Sequence, residues 1–345
     1  MFYDGTKLLS MTDLDNLKPE IYICSSNRNG GKTTWFTKYL VNKFLKNDEK
    51  FCLLYRYKYE LDTIADKFFK GVQPLFFDNY EMTEKKLAKG AIVELFLNDK
   101  SCGYATSLSS ANQVKKNSHL LSDVKRMMFD EFQSENNDYW SDEISRFMSI
   151  HTSIARGEGK QVRYVPIFMI SNPVSILNPY FTEMGIGKRL RKDTKFLKGH
   201  GFVLEQNFNE SASKANLNSR FNRAFSNSRY LDYSANSSYL NDNVAFIENL
   251  QGKNDYVCTI KFKGKDYAVR QFNEMGLMYV DESVDSSYPI RICTTTADHN
   301  INYVMLNRCD SVISNLRFLF ERGCFRFKNL NCKESLIETI AYRTK

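Results

Sequence analysis

Short, nearly continuous runs of apolar residues recur through the first 205 positions of the chain. They occupy positions 21–24, 51–56, 91–97, 124–132 and 165–171. Runs of this kind are typical of strands that are buried on both faces of a parallel sheet. Helices are predicted at about 34–45 and at roughly 139–155, where apolar residues recur three and four positions apart. The pattern therefore predicts an α/β domain with a central sheet of the parallel type.

The pattern changes after residue 205. Asn and Ser fill 17 of the 38 positions between 206 and 243, which predicts a linker or a small connecting subdomain. Beyond it, short segments alternate with a period of two around a predicted hairpin turn at 263–265, and two helices are expected at about 311–322 and 333–343. The prediction is an α/β domain at 1–205, a connection at 206–243 and a smaller α+β domain at 244–345.

Composition narrows the class of protein. Hydrophobic residues make up 42% of the 345 positions and charged residues 26%, so the chain can bury two sizeable cores. The formal net charge of +8 favours a polyanionic partner without identifying it. The eight cysteines form no CxxC pair, and several lie in apolar runs, which indicates reduced thiols and the cytoplasm. No secretion signal and no apolar run of about 18 residues is present, so no membrane partner is expected.

The first apolar run leads into the segment SSNRNGGKTT at 25–34, which has the character of a phosphate-binding loop. Backbone N–H groups of such a loop surround a phosphate chain, Lys32 reaches the β- and γ-phosphates, and the Thr33 hydroxyl binds Mg²⁺. The match is imperfect because Ser26 stands where the GxxxxGK[ST] pattern has its first glycine. The predicted ATP-binding residues are Ser26, Asn27, Arg28, Asn29, Gly30, Gly31, Lys32, Thr33 and Thr34.

The apolar strand that ends in Asp130 and Glu131 is a candidate for the second part of the same ATP site. Asp130 is predicted to join Thr33 in holding Mg²⁺, and Glu131 to polarise an attacking water molecule. A pair of acidic residues at a strand end is by itself usually a solvated turn. Because a phosphate-loop candidate lies upstream and an extra strand fits between the two, the combined pattern favours an ATP hydrolase.

Two further positions have a functional and an ordinary interpretation. Ser171 and Asn172 end the next apolar run, where a side chain can sense the γ-phosphate, although Ser-Asn-Pro is also a common exit from a strand. Arg156 follows the predicted helix at 139–155 and is either a solvated residue or an arginine finger that acts on a neighbouring subunit.

The segments IYICSSNRNGGKT, FCLLYRYKYEL, MMFDEF, ISNPVSILNPYF and GLMYVDE, taken in this order, resemble the DNA-packaging motor ATPases of small podoviruses of the phi-twenty-nine-like type. The resemblance covers nearly the whole chain and is weak at 206–243. It implies a P-loop ATPase fold of the additional-strand, catalytic-glutamate class. It also implies a C-terminal domain that resembles a ribonuclease-H-like fold without its nuclease centre.

Position by position, the resemblance implies roles for the candidate residues. Lys32, Glu131 and Arg156 become catalytic residues, with Arg156 acting in trans, and Thr33 and Asp130 become the metal ligands. Ser171 and Asn172 match the segment that couples hydrolysis to movement, and Arg28 adds a second cation to the loop. The residues implied at the subunit interface are Lys115, Arg156 and Arg56, the last also near the active site.

Three functions remain as alternatives. The first is an ATP-driven double-stranded DNA translocase that works as a homomeric ring, a pentamer by resemblance, in the host cytoplasm while docked on the procapsid. The resemblance adds the portal and a packaging RNA as partners. The second couples the ATPase to an active metal-dependent nuclease, for which Glu248, Asp281, Glu282, Asp285 and Asp298 are available carboxylates. The third is a nucleic-acid-binding structural protein whose phosphate loop is degenerate.

Overall fold

The structure is a computed structural model of the full chain. It describes residues 3–135, 138–140, 142–156, 159, 161–176, 178–187, 189–190, 194–224, 246–307 and 310–341. These fall into two compact units, one within 1–134, 142–174 and 195–237, the other within 135–141, 175–194 and 238–345.

Among the described residues, the first unit contains nine strands and eight α-helices. Its strands are β1 Ile21–Ser26, β2 Lys50–Tyr55, β3 Met82–Leu87, β4 Ile92–Leu97, β5 Lys100–Ser107, β6 Val124–Asp130, β7 Ile167–Ser171, β8 Phe196–Gly199 and β9 Phe202–Asn207. Its helices are α1 Thr6–Ser10, α2 Lys32–Asn47, α3 Ile64–Phe69, α4 Gln73–Phe76, α5 Ala111–Lys116, α6 Glu143–Ile154, α8 Glu210–Asn218 and α9 Arg220–Arg223. Helix α7, Pro179–Glu183, belongs to the second unit.

These strands form one sheet in the order β3-β4-β5-β2-β6-β7-β1-β9-β8. The six strands from β5 to β9 run parallel, and β3, β4 and β8 add antiparallel edges. The predicted α/β class with a mainly parallel sheet is confirmed. Since β7 pairs with both β1 and β6, it separates the strand that leads into the phosphate loop from the strand that ends in Asp130.

The prediction for 91–97 is wrong in one respect. β4 does form there, but it pairs antiparallel with both of its neighbours, β3 and β5. Its apolar run is explained by burial of Ile92, Val93, Leu95 and Leu97 under the edge of the sheet. The edge strand β3 has the sequence MTEKKL, whose four central residues are polar or charged, so it gave no continuous apolar run.

Aromatic side chains fix helix α2 against the sheet. Phe36 is fully buried, and its ring lies 5.3 Å from that of Phe168 on β7 and 5.9 Å from that of Tyr3. Trp35 packs edge-on against Phe36 and stacks on Tyr39 of the next helical turn. Because burial of such rings contributes about 2 kcal/mol each, this cluster holds the start of α2 at the end of β1.

The compact units differ from the predicted domain boundaries. Residues 175–194 group with the C-terminal unit, where Ile176 and Phe181 line a small cavity together with Ile337 of the last helix. The segment 206–224, predicted as part of a linker, contains the end of β9 and helices α8 and α9, and it groups with the first unit. Residues 225–243 of that predicted linker lie outside the described residues.

The second unit contains a six-stranded sheet in the order β14-β13-β10-β11-β12-β15. Its strands are β10 Asp255–Phe262, β11 Lys265–Phe272, β12 Leu277–Asp281, β13 Arg291–Cys293, β14 Val304–Met305 and β15 Phe325–Phe327. Helices α10 Ser311–Glu321 and α11 Leu330–Thr339 confirm the two predicted C-terminal helices, of which positions 342 and 343 are not described. The sheet is mixed, since β10, β11 and β12 form an antiparallel meander and the other pairs are parallel.

The predicted hairpin turn joins β10 to β11. Lys263 and Gly264 both have positive φ, 50° and 76°, which is the backbone of a two-residue turn between strands of normal twist. The buried carboxylate of Asp298 accepts hydrogen bonds from both turn N–H groups, at 3.1 and 2.7 Å, and from the Thr295 hydroxyl at 2.8 Å. Asp298 is therefore a structural cap for the turn.

Two predictions from the sequence concern the state of the cysteines and the presence of membrane-spanning segments. All seven cysteines among the described residues are free thiols, and six of them are buried. Within the described ranges, no helix combines the length and the apolar character that crossing a bilayer requires.

Replacing Asp298 is predicted to loosen the hairpin. Burial opposes ionisation of this carboxyl, but the hydrogen bonds from Gly264, Thr295 and Lys263 outweigh it and lower the pKa of Asp298. The Asp298→Ala change leaves two N–H groups without their acceptor, so we expect the free energy of local unfolding to fall by about 2 kcal/mol. Amide exchange in β10 and β11 measures this loss.

The pH dependence has a definite sign. A carboxyl with a lowered folded-state pKa stabilises the fold above its unfolded pKa, about 4, and loses that effect as the pH falls through the folded value. The difference in exchange between the unmutated protein and Asp298→Asn should therefore shrink below about pH 4. Asp285→Ala is the control, because the Asp285 carboxylate is exposed and caps only a local turn at Ser287. An equal effect of both changes would contradict the assignment.

Candidate functional site

The phosphate loop connects β1 directly to α2. Ser26 is the last residue of β1 and pairs with Asn207 of β9, and Lys32 is the first residue of α2. The left-handed conformations that the turn needs occur at Asn29, with φ 60°, and at Gly31, with φ 87°. Asn and Gly tolerate this region of backbone space. Ser26 is not among the residues with positive φ, so its serine in place of glycine introduces no backbone strain.

Lys32 directs its ammonium group back over the loop. Nζ donates to the carbonyls of Ser26 at 3.1 Å and Asn27 at 3.4 Å and to Oδ1 of Asn172 at 2.8 Å. Only 7% of the residue is exposed. Burial lowers the pKa of Lys32, and the cation of Arg28 acts in the same direction, while nearby acidic groups that include Asp130 and Glu131 oppose the shift.

Asp130 meets the first turn of α2 at the end of β6. Its carboxylate accepts a hydrogen bond from the Thr33 side chain and, through Oδ1, one from the Glu131 N–H at 2.9 Å. Desolvation raises the pKa of Asp130 to about 6, and the charge of Glu131 adds to the rise. Thr33 and Asp130, the two predicted metal ligands, therefore lie in contact, and the carboxylate needs more positive charge than the protein supplies.

Glu131 is exposed and begins the loop after β6. Its φ of 52° is unusual for a residue with a side chain, and it turns the backbone sharply away from the strand. The side chain at the loop's start is accessible to solvent, as a residue that polarises water must be.

Arg56 is buried within the subunit, with only 7% of the residue exposed. Its guanidinium donates to the carbonyls of Glu131 and Phe132 and, through Nε at 3.0 Å, to the fully buried carboxylate of Glu143 on α6. It therefore ties the loop that carries Glu131 to helix α6. The expected proximity of Arg56 to the active site agrees with these contacts.

Ser171 is the last residue of β7 and Asn172 follows it, between the two halves of the site. Ser171 pairs in register with Ser25 of β1, and its buried hydroxyl has no hydrogen-bond partner among the described residues. Asn172 accepts the hydrogen bond from Lys32. A buried hydroxyl thus lies at the end of β7, and the side-chain amide that follows it contacts Lys32.

The other predicted loop residues differ in exposure. Arg28 and Thr34 are half-buried, Asn29 is exposed, and Gly30 is buried beside Ser26. Asn27 is fully buried, and its side-chain amide is bonded to the main chain of Asn209. This contact assigns a structural role to the Asn27 side chain, a role that the sequence did not predict.

Arg156 and Lys115 lie at the surface of the subunit. Both are exposed, and neither side chain has a hydrogen-bond or ion-pair partner in the part of the chain that the structure describes. Arg156 follows the C-terminal end of α6, and Lys115 lies in the last turn of α5, which packs against α6. Both are placed to reach a molecule outside the subunit.

Sequence reasoning missed two residues that support the site. Arg163 is buried and donates to the carbonyls of Ile154 at 2.7 Å and Arg156 at 3.4 Å, which fixes the backbone from which Arg156 projects. Asn209 contacts the phosphate loop from the segment predicted as a linker. Neither residue belongs to a short motif, so only the tertiary structure identifies them.

The residues present fit a nucleotide and a divalent cation. The buried Lys32 ammonium, with Arg28 beside it, needs anionic partners, and the start of α2 points its positive dipole end at the same place. Thr33 and Asp130 offer hard oxygen ligands, which suit Mg²⁺. The Asp130 carboxylate is desolvated and lies beside the charge of Glu131, so a cation bound here would stabilise its ionised form.

The five carboxylates considered for a nuclease are held apart by separate partners. Asp281 pairs with Arg270, Glu282 with Lys328 and Glu248 with Arg326, whereas Asp285 and Asp298 cap turns. The described residues contain no group of three acidic, His or Cys side chains that could hold a metal ion. The nuclease alternative is therefore not supported.

Comparison with known proteins places the chain among viral packaging proteins. It is 27% identical over 346 residues to the DNA packaging proteins of Bacillus phages PZA and phi29, which covers 99% of this chain and 96% of each relative. It is 26% identical over 318 residues to the DNA packaging protein of Bacillus phage B103, which covers 90% of this chain and 92% of that protein.

Two solved structures share the fold. The bacteriophage Phi-29 viral genome packaging motor assembly matches 99% of this chain and 97% of its own, with a TM-score of 0.57 and 24% identity. The Phi-28 gp11 DNA packaging motor matches 100% and 99%, with a TM-score of 0.58 and 17% identity. The family model described as podovirus DNA encapsidation protein (Gp16) matches residues 1–344. The chain therefore belongs to the podovirus DNA encapsidation protein family.

Proposed function

We propose that this protein is an ATP hydrolase that drives double-stranded DNA into a preformed viral capsid. The observation that carries the proposal is the convergence of Lys32, Thr33, Asp130 and Asn172 at the carboxyl ends of three neighbouring parallel strands. Ligands of α/β proteins bind at this edge of the sheet. Membership of the DNA encapsidation family and the names of the relatives supply the substrate.

Each residue has a role that follows from its position. Bound ATP with Mg²⁺ supplies the phosphoryl group and the counter-charge for its transfer. Lys32 would bind phosphate oxygens in exchange for its present partners, and Thr33 and Asp130 would hold the metal. Glu131 would orient the attacking water and accept its proton as the water oxygen bonds to the γ-phosphorus and the bond to the ADP oxygen breaks. Asn172 and Ser171 lie where they can detect the γ-phosphate, because Asn172 already contacts Lys32.

We further propose that the site is completed by a second copy of the chain in a ring. Arg156 and Lys115 are exposed, and neither side chain has a hydrogen-bond or ion-pair partner among the described residues, which supports a role at a neighbouring subunit. An arginine supplied in trans contributes on the order of 10³ to 10⁵ in rate. The subunit number, five by resemblance, and contacts with the portal and a packaging RNA belong to the same proposal, as does a position on the procapsid in the host cytoplasm.

The order of the strands in each sheet supports a more specific fold assignment for each unit. β7 lies between β1 and β6, as expected for the additional-strand, catalytic-glutamate class. In the second unit, the antiparallel meander β10-β11-β12 is extended beside its first strand by the parallel strands β13 and β14, an order that resembles the ribonuclease-H-like fold. The separately paired carboxylates favour a version of that fold without nuclease activity.

ATP turnover tests the proposal directly. In the presence of double-stranded DNA, we expect Lys32→Ala to weaken ATP binding and Glu131→Gln to bind ATP but lower turnover at least 100-fold, in line with loss of a general base. Binding and turnover are measured separately, by equilibrium titration and phosphate release. Absence of turnover in the unmutated, assembled protein would instead support the non-enzymatic alternative.

The trans role of Arg156 predicts a dependence on assembly. Turnover per subunit should rise with protein concentration, and Arg156→Ala should lower it at least 100-fold without weakening nucleotide binding. Mixing Arg156→Ala with Lys32→Ala subunits should restore some activity, because only mixed neighbours can combine an intact loop with an intact arginine. A mixture that stays inactive, although it assembles, would contradict a contribution in trans.

The buried pair of Arg56 and Glu143 predicts separable effects on stability and turnover. Arg56→Met removes the cation that forms an ion pair with the buried Glu143 carboxylate and should cost about 3 kcal/mol of stability. The double change Arg56→Met with Glu143→Leu removes both charges and should recover most of it. Turnover should stay low in the double variant, since the carbonyls of Glu131 and Phe132 have lost their donor. Chemical denaturation and phosphate release measure the two effects; full recovery of turnover would exclude a positioning role.

A further inference from the structure

The parallel ladder between β1 and β9 continues beyond its last backbone pair through a side chain. The backbone pairing ends at Ser26 and Asn207. One residue further along, Nδ2 of Asn27 donates to the carbonyl of Asn209 at 3.0 Å, and Oδ1 of Asn27 accepts from the Asn209 N–H at 2.9 Å. A primary amide offers the same donor and acceptor as a peptide group. The Asn27 side chain therefore replaces a backbone strand pair.

Asn209 also starts helix α8. Its carbonyl accepts from the Ser213 N–H at 2.9 Å, and its side-chain Oδ1 accepts from the Ala212 N–H at 3.0 Å. The second bond is the usual contact of a helix N-cap residue. One carbonyl, that of Asn209, is thus shared between the Asn27 amide and the first turn of α8. The phosphate loop and the helix meet at a single residue.

The same residue holds the carbonyl of Gly30. Nδ2 of Asn209 donates to it at 3.4 Å, and the N–H of Tyr3 donates to it at 2.9 Å. Because the peptide bond between Gly30 and Gly31 is trans, its N–H points away from its C=O. Fixing the Gly30 carbonyl therefore fixes the direction of the Gly31 N–H, which is one of the loop groups available to a phosphate.

We propose that Asn27 and Asn209 form a latch that sets the conformation of the phosphate loop and links it to the first turn of α8. Asn27 is then a positioning residue whose side chain acts on the loop through Asn209. The proposal rests on nucleotide binding by this loop. When a phosphate chain orders the loop, the Asn27 amide holds the Asn209 carbonyl in a fixed position. The hydrogen bonds that the Ala212 and Ser213 N–H groups donate to Asn209 become more stable as a result.

Amide hydrogen exchange of the full chain, with and without Mg²⁺ and a slowly hydrolysed ATP analogue, tests the latch. In the unmutated protein we expect the analogue to slow exchange at 26–34 and also at Ala212 and Ser213, each at least five-fold, roughly the effect of one added hydrogen bond. In Asn27→Ala at saturating analogue, we expect the loop amides to slow and those of α8 to stay unchanged.

The outcomes separate the latch from the proposed function. Slowing at the loop but not at α8 in the unmutated protein, or equal slowing of α8 in Asn27→Ala, would overturn the latch and leave nucleotide binding intact. No slowing at the loop in the unmutated protein would overturn nucleotide binding, and the latch with it.

Kinetics provide a second readout. Loss of two hydrogen bonds at the loop predicts a rise in KM for ATP of about ten- to thirty-fold in Asn27→Ala, with kcat changed much less. Asn209→Ser keeps an oxygen to cap α8 and loses only the amide contact with Gly30, so its KM should rise about three-fold.

The control is Asn329→Ala, which removes the N-cap of α11 in the C-terminal unit, where Asn329 accepts from the Cys332 N–H at 3.0 Å. Its KM should equal that of the unmutated protein. A rise in KM for Asn329→Ala as large as for Asn27→Ala, or the same KM for Asn27→Ala and the unmutated protein, would overturn the latch. If Asn27→Ala fails to fold, the KM of Asn209→Ser still tests the latch, and a KM equal to that of the unmutated protein would overturn it.

Discussion

The buried ammonium group of Lys32 is the interaction on which the arrangement of the site depends. Burial of an unpaired charge costs several kcal/mol, so the loop carbonyls of Ser26 and Asn27 turn toward Nζ and Asn172 supplies an amide oxygen. Those contacts connect the end of β1 with the end of β7. Since β7 also pairs with β6, one charged group joins the phosphate loop, the Asn172 segment and the strand of Asp130.

A parallel sheet explains why residues so distant in sequence meet. The carboxyl ends of β1, β6 and β7 lie at one edge, and this edge also receives the start of α2. The apolar runs predicted these strands well, because strands covered on both faces leave few positions for polar residues. The loop motif and the acidic strand end predicted Lys32, Thr33 and Asp130, because the loop that leads to Lys32 and Thr33 leaves the end of β1 and Asp130 is the last residue of β6.

What the sequence did not predict depends on contacts between separate elements. Helix α8 lies in an Asn- and Ser-rich stretch, and its start is set by the Asn209 cap rather than by an apolar stripe. Arg56 belongs to a recognisable segment, yet its burial against Glu143, 87 positions away, cannot be derived from local pattern. Asn27 was assigned to phosphate binding with its neighbours, because nothing in the motif distinguishes a side chain that faces a ligand from one that extends a sheet.

The geometry around Glu131 shows how strain and charge are combined at this site. A left-handed backbone at a residue other than glycine costs about 1 to 2 kcal/mol, and Glu131 adopts it with φ 52°. The Asp130 carboxylate accepts the Glu131 N–H, and Arg56 donates to the carbonyls of Glu131 and Phe132. Arg56 keeps its own position through the fully buried Glu143. Because charged hydrogen bonds contribute about 1.5 to 3 kcal/mol each, this pair can hold the strained turn. The backbone of Glu131 is thus fixed from inside the subunit, while its side chain remains exposed to solvent.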